Sequence, residues 1–403
     1  MEHSINMIPF FTSYFWNGVS FAFACFGMLL LSLSILLILK SPKLAVWIGS
    51  LEKMNLWHHR FATIGYAFIL LHPLILGWEG FFKNQSNAWI QISPWENSSF
   101  VGLGWISIVL FMIGLFFTFN VQLPYRLWKY SHVILSVAFL LGIYHVFIVK
   151  GFLSVYSLMV FPPILVLFLR LFSFDHKYIS IPFIVETLKY SSSEIVEIEL
   201  KPMKQKLQVS PGQYIFVAFY EGPGFKGCGE FHPFSIIQSL KNGNLMLAVK
   251  SLGECTKNIL KLQTGVRTNV IGPFGDFHSG KSTKNEIWIA AGVGVTPFLS
   301  LINKSRIIFL TKMYLLLNEK KDSPFVNAFE NFSLQNSNFQ FELIETKKNL
   351  KPLFHDLEKI IGLKEMDFFI CGPPLMMNQL FLWLYSKGVS HQSIHYEQFD
   401  LRL

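Results

Sequence analysis

Charge is what this sequence has least of. Only 15% of its 403 residues are Asp, Glu, Lys or Arg, against about a quarter in soluble domains, which excludes an ordinary soluble protein. Cysteine is almost as scarce. Cys25, Cys228, Cys255 and Cys371 are scattered without paired spacing, so neither a disulfide framework nor a metal cluster is expected. The net charge of +9 is carried by no compact basic stretch, which argues against nucleic acid as a partner. Met1, Glu2 and His3 lack the basic start of a cleavable leader. Internal repeats and low-complexity tails are missing too.

What is present is apolar. Hydrophobic residues make up 52% of the chain, 42 of them Phe, and they gather in runs near the 20 residues that cross a bilayer. Five spans are expected: Val19–Leu39, Leu56–Trp78, Phe100–Phe119, Trp128–Val149 and Val155–Phe172, the last kinked at Pro162 and Pro163. Ile8–Trp16 is too short for a sixth and reads as a segment lying along the interface. Lys40, Lys43, Lys53 and Arg60 fall between the first two spans, Arg126 and Lys129 between the third and fourth, and Arg170 and Lys177 after the fifth. Only Lys83 and Lys150 occupy the alternate loops. Basic residues mark the inner side, so the N-terminus is placed outside and everything after Asp175 in the cytoplasm.

Within the spans, imidazoles stand where hydrocarbon is expected. The second span carries His58, His59 and His72; the fourth carries His132 and His145. From His59 to His72 is thirteen residues, as from His132 to His145, which puts roughly 20 Å between the members of each pair. Two parallel helices so equipped offer a bis-imidazole site in each leaflet, a ligand set suited to two stacked b-type haems. His58 competes with His59: fourteen residues return closer to the face of His72, but thirteen matches the partner helix. The reading leans to His59.

After Lys177 the apolar runs shorten to strand length. Ile195–Leu200, Tyr214–Phe219, Leu245–Val249 and Val266–Ile271 read as strands of an antiparallel barrel. From about Lys284 strands alternate with helices, at Ile287–Ala291, Met313–Leu317, Phe341–Glu345 and Asp367–Cys371, the pattern of a doubly wound sheet. The expected fold is an all-α haem-binding membrane bundle over 1–175, an antiparallel β-barrel domain over 176–272, and an α/β doubly wound domain over 273–403.

Several stretches suit a dinucleotide. Glu230–Ile237 (EFHPFSII) sets an aromatic and a hydroxyl beside a strand. Val249–Ile259 joins Lys250, a turn at Gly253 and a helix start near Thr256, a cation beside a helix terminus. In Glu286–Ile302 a buried strand ends at Gly292 and Gly294, and Thr296 and Pro297 open a helix as N-cap and first-turn proline. Glycines there let phosphate approach the backbone. Phe368–Met376 repeats the design with Cys371, Gly372 and Pro373. Gly275–Ser282 satisfies the phosphate-loop pattern, but it leads into a strand rather than a helix and reads as a linker.

The order of these features, with Gly272–Gly275 (GPFG) and a terminal Glu-x-Phe at Glu397 and Phe399, resembles the ferric reductase and NADPH oxidase superfamily over nearly the whole chain. The soluble half is similar to ferredoxin-NADP reductase, with His232 where many relatives carry arginine. The resemblance implies FAD near His232, Pro233, Phe234, Ser235, Lys250, Gly253 and Thr256. It implies NADPH or NADH near Gly272, Pro273, Gly292, Gly294, Thr296, Cys371, Gly372 and Pro373, and a flavin face covered by Phe399 with Glu397 close by. Lys320 and Lys321, after the strand Met313–Leu317, would take a 2′-phosphate and favour NADPH. Calcium- and partner-binding extensions are missing, so no cytosolic activator is expected, and five spans are counted where animal relatives have six. The expected activity is electron transfer from cytosolic NAD(P)H through FAD and two haems to an external acceptor, dioxygen giving superoxide ahead of ferric iron, in a bacterial inner membrane. A haem module without activity and a supplier of electrons to a periplasmic partner are the rival expectations.

Overall fold

The computed structural model describes residues 7–83, 90, 92–95, 99–120, 123–151, 155–171, 179–275, 277–278, 282, 284–304, 307–317, 324–346 and 349–397. Among the described residues six helices come first: α1 (Met7–Leu36), α2 (Pro42–Ile48), α3 (Leu51–Lys83), α4 (Ser99–Phe119), α5 (Tyr125–Lys150) and α6 (Val155–Leu171). By contacts, α1 and α3–α6 form one unit, while α2 and the chain from Ile179 onward form a second.

In the first unit α1, α3, α4 and α5 are each long and apolar enough to cross a membrane, and the protein is an integral membrane protein. The helix α6 has 17 residues with Pro162 and Pro163 inside it. Large apolar side chains such as Ile64, Leu74, Ile106, Phe116 and Phe161 point outward, where only lipid satisfies them. Leu31, Phe111, Phe139, Ile143 and Leu167 fill the interior. One expectation is corrected. Ile8–Trp16 is no separate interfacial segment, because α1 runs unbroken from Met7; no Gly stands between Ile8 and Gly18 to end the helix, and Pro9 lies in its first turn, where proline is tolerated. The short α2, which begins on Pro42 at its first turn and ends at left-handed Gly49, was not anticipated.

The second unit holds a closed antiparallel barrel and a parallel sheet. The barrel strands β1 (Ile181–Tyr190), β2 (Ile195–Pro202), β3 (Tyr214–Phe219), β4 (His232–Ser239), β5 (Leu245–Lys250) and β6 (Arg267–Phe274) close in the order β1-β2-β5-β4-β3-β6. A six-residue helix, α7 (Glu254–Ile259), follows β5. The sheet strands are β7 (Glu286–Ala291), β8 (Thr311–Leu317), β9 (Phe339–Glu345), β10 (Asp367–Cys371) and β11 (Ile394–Glu397), ordered β11-β10-β7-β8-β9 and all parallel. Helices α8 (Thr296–Lys304), α9 (Val326–Gln335), α10 (Lys351–Glu358) and α11 (Pro374–Ser386) connect them. The chain leaves β7 toward β8 on one side and later returns to β10 on the other. A crevice therefore opens at the carboxyl ends of β7 and β10, where ligands bind in such sheets. Ile195, Ile237 and Ala248 of the barrel share a core with Trp288, Phe298 and Leu299, so barrel and sheet are welded by apolar burial. The element after Ser282 is β7, as the linker reading of that stretch requires.

Candidate functional site

The first site is built where α1 meets α3. Gly27 and Gly65 face each other so closely that a Cβ on either would lie 2.9–3.0 Å from the other's carbonyl oxygen. Small residues permit such an approach. Seven residues to each side on α1 stand Ser20 and Ser34; seven residues to each side on α3 stand His72 and His58. The two pairs make the same contacts. His72 Nδ1 lies 3.0 Å from the Ser20 carbonyl and 2.8 Å from its hydroxyl, which donates to the His72 carbonyl at 2.9 Å. His58 Nδ1 lies 2.9 Å from the Ser34 carbonyl and 2.8 Å from its hydroxyl, which donates to the His58 carbonyl at 3.1 Å. A carbonyl can only accept, so Nδ1 carries the proton in both rings. Nε2 is then left with its lone pair, the arrangement that orients metal-binding imidazoles.

The partner helix answers at both levels. The His58 and His132 ring centroids are 6.4 Å apart, room for two metal–nitrogen bonds of about 2 Å each plus the ring radii. His132 is stacked on Trp128 and its Nδ1 lies 3.4 Å from the Thr118 hydroxyl. His72 is close enough to His145 for the two to interact electrostatically, and a Cβ at Gly104 would meet the His145 ring at 3.3 Å, so α4 leaves that ring its space. His59 makes none of the serine contacts; its ring lies beside His58 and 6.5 Å from Phe119. The geometry thus favours His58 over His59, against the lean taken from spacing.

The second site lies at the β7/β10 crevice and along β4. Gly292 has a positive φ of 56° and open space where a Cβ would stand, so a ligand phosphate can reach the backbone. Gly294 serves differently: a Cβ there would lie 3.0 Å from Gly372 Cα and closer still to the Cys371 carbonyl. One glycine admits ligand and the other lets two strand ends touch. Thr296 departs from expectation. A single 3-10 turn over Gly292–Val295 precedes α8, and the Thr296 hydroxyl donates to the Val293 carbonyl at 2.9 Å rather than acting as a side-chain acceptor for the helix. Pro297 follows in the first turn of α8.

Cys371 is fully buried opposite Glu397 in the β10/β11 register, and burial together with the Glu397 charge pushes its thiol well above the ordinary range. It is therefore an inert thiol rather than a nucleophile. Glu397 Oε1 and the Tyr214 ring both crowd Gly275, at 3.1 and 3.0 Å from where its Cβ would stand. Tyr214 in turn pairs with Ser235 between β3 and β4. The motifs around Ser235, Gly272–Gly275, Gly294, Cys371–Gly372 and Glu397 thus converge. Ser235 is buried at 4% exposure, and its hydroxyl has no hydrogen-bond partner among the described residues. An orphaned buried hydroxyl requires an explanation, and a flavin lying on β4 supplies one.

Other expected residues have local duties. Thr256 accepts from the Leu252 and Gly253 amides at 2.9 Å each, closing the turn into α7, and Lys250 lies 3.7 Å from Glu194. Pro233 and Phe234 lie on β4 against Phe216 and Ile215 of β3, Gly272 and Pro273 lie on β6, and Pro373 precedes α11. Lys320, Lys321 and Phe399 fall outside the described residues. The expectation of unpaired cysteines is corrected. Cys228 and Cys255, 27 positions apart, are joined as a disulfide with Cα atoms 5.8 Å apart; closure of the barrel brings together what linear spacing separates.

Both halves of the chain are similar to known proteins. Residues 23–143 match a ferric reductase like transmembrane component, and residues 180–290 match an FAD-binding domain. Together these two matches are the architecture of the ferric reductase and NADPH oxidase superfamily. It is 25% identical over 242 residues to the flavohemoprotein of Bacillus subtilis, covering 55% of this chain and 60% of that one. It is 20% identical over 229 residues to the electron transfer component of toluate 1,2-dioxygenase from Pseudomonas putida, covering 53% and 66%. The chain thus spans between 60% and 66% of the length of these relatives. The FAD/NAD-binding domain of nitric oxide dioxygenase from Vibrio cholerae aligns with a TM-score of 0.45 at 21% identity, over 54% of this chain and 97% of that one. The superfamily's FAD-binding match covers the whole of the barrel and ends inside β7.

Proposed function

We propose that this protein carries electrons from cytosolic NAD(P)H across the membrane to an external acceptor, with dioxygen reduced to superoxide. The observation that carries the reading is the repeated serine–histidine contact. Two imidazoles fourteen residues apart on α3 are held in the same tautomer by two serines fourteen residues apart on α1. That is a device for ligating two metal centres, and core packing has no need of it. His58 with His132 would hold an inner haem, and His72 with His145 an outer one.

Bound FAD would take up an electron pair as hydride from the nucleotide and release electrons singly, and bound haem would conduct them. The chain's own part is placement. The Ser235 hydroxyl would donate to a bound flavin from β4, Gly292 would admit the nucleotide's phosphates, and Glu397 would lie close to the flavin. Phe399 would shield the flavin and yield to the nicotinamide. Lys320 and Lys321 bind a 2′-phosphate and give a modest preference for NADPH. On this reading residues 1–175 would hold haem, 176–272 FAD and 273–403 nucleotide, and the N-terminus is outside. Ligation by these histidine pairs would use both axial positions of each iron, so the chain would leave the acceptor no binding place at the metal.

Ferric iron is the second reading, favoured by the match of residues 23–143 to a ferric reductase like component. The deciding experiment supplies purified, haem-loaded protein with NADPH and then NADH, and follows superoxide and ferrous iron in parallel. Superoxide with faster NADPH turnover is expected. Ferrous iron without superoxide moves the assignment to metal reduction. A preparation that binds no flavin and shows no b-haem absorbance change with either nucleotide defeats the proposal outright.

A further inference from the structure

The disulfide between Cys228 and Cys255 lies where disulfides are rare. A module that oxidises NAD(P)H works in the cytosol, whose thiol buffers keep cysteines reduced, and cytosolic disulfides are usually transient and redox-sensing. Its position is as informative as its compartment. Cys228 stands in the segment entering β4, four residues before His232, and Cys255 is the second residue of α7, between Gly253 and Thr256. The bond therefore ties together the two segments that border the flavin motif. Cys228 and Cys255 are both half-buried, so small oxidants and reductants can reach them, unlike the sealed Cys371.

We propose that Cys228 and Cys255 form a reversible redox-modification site whose oxidised state tightens the FAD cradle. The inference rests on the cytosolic, flavin-binding reading of this module. In the forward step the two thiols lose two electrons and two protons to form one S–S bond. A hydroperoxide takes both electrons, and its O–O bond breaks to give water and an alcohol, or water alone from hydrogen peroxide. In the reverse step a cytosolic dithiol attacks one sulfur, returns two thiols and becomes a disulfide itself. Opening the link frees the segment before β4 from α7, so FAD held between them loses a constraint.

The chief competing occupant is a soft metal ion, because the ligand atoms of Cys228, His232 and Cys255 lie within 4.8 Å of one another. The test uses the intact, detergent-purified protein, with no nucleotide or acceptor, in a series of glutathione buffers. Thiols are alkylated and mapped by mass, while FAD affinity is read by flavin fluorescence in the same samples. Cys228 and Cys255 should gain label together across the series while Cys371 stays unlabelled. Reduction should weaken FAD binding by about fivefold or more. The C228S/C255S double variant should show the weaker affinity in every buffer. A pair that stays unlabelled in excess dithiothreitol, or that excess hydrogen peroxide never joins, overturns the proposal. So does a pair that titrates without changing FAD affinity, or one that holds stoichiometric zinc after purification. Labelling is read without turnover, so failure of the electron-transfer reading is seen separately.

Discussion

The α1/α3 crossing can be tested with one methyl group. In Gly65→Ala the new Cβ would lie 3.0 Å from the Gly27 carbonyl oxygen and 3.1 Å from both Leu30 Cβ and the Leu31 amide nitrogen. Two of these neighbours are backbone and cannot rotate away, so α1 and α3 must part by some tenths of an ångström. Overpacking of this kind costs about 1–3 kcal/mol. At 1.36 kcal/mol per decade that disfavours the close-packed state by about 5- to 160-fold. The damage should be symmetrical, because Gly65 stands seven residues from His58 and seven from His72, and parting the helices weakens the Ser34 and Ser20 contacts alike. Haem per chain, measured as the pyridine adduct on protein solubilised in mild detergent, should therefore fall for both centres together. Gly18→Ala on α1 is the control, since nothing lies within 4 Å of its Cβ position. Wild-type haem content and thermal stability in Gly65→Ala would refute the crossing as the organiser of the site. Selective loss of one haem would refute its symmetry.

Three further outcomes are expected. His58→Ala should lose one of two haems while His59→Ala retains both, counted by the same adduct; the reverse pattern would return the inner ligand to His59. Ser235→Ala should weaken FAD retention by about 1 kcal/mol, near fivefold, the usual worth of one hydrogen bond; unchanged retention would mean its hydroxyl faces no flavin. Cys371 should resist iodoacetamide until the protein unfolds. Because its thiol is raised in the fold, the unfolded chain binds fewer protons above the ordinary value near 9, so stability should fall as pH climbs past that value. In a urea series, Cys371→Ala should lessen that alkaline decline, and an identical decline would discount the thiol.

Much of the soluble half was legible. Tyr214–Phe219 and Asp367–Cys371 coincide with β3 and β10 to the residue, because short β-rich runs bounded by Gly, Pro and Asp leave little choice of boundary. β1 was missed. Ile181–Tyr190 mixes buried Phe183 and Val185 with exposed Glu186 and Thr187, and its pairing slips between Val185 and Thr187, so no clean alternation survives to be read. The disulfide escaped for a different reason: 27 positions separate its cysteines, and only the pairing of β4 with β5 makes their loops neighbours.

In the membrane unit, spacing and geometry point to different imidazoles. The match of thirteen residues between His59–His72 and His132–His145 rests on the premise that facing ligands need equal separations. The structure ties the spacing on α3 to α1 instead. Ser20, Gly27 and Ser34 run against His72, Gly65 and His58 in steps of seven, and a straight helix drifts only about 20° per seven residues. Two consecutive steps therefore stay on one stripe, with the glycines at the crossing and a serine–histidine contact at each end. His59 lies a further 100° round the helix and is carried off that stripe, whatever the partner helix does. No property of α3 by itself reveals this, because serine and glycine on α1 are individually unremarkable in a membrane helix. The signal exists only once the two helices are known to be neighbours. Then the antiparallel repeat of a polar residue, a glycine and a polar residue becomes a stronger criterion than equal separation. It predicts that moving one serine–histidine contact off the stripe, as in S34A, should loosen the His58 ring without touching His72. In the oxidised protein at low temperature, electron paramagnetic resonance should show one of two low-spin haem signals broadened and the other unchanged; two unchanged signals would mean that the serines only pack.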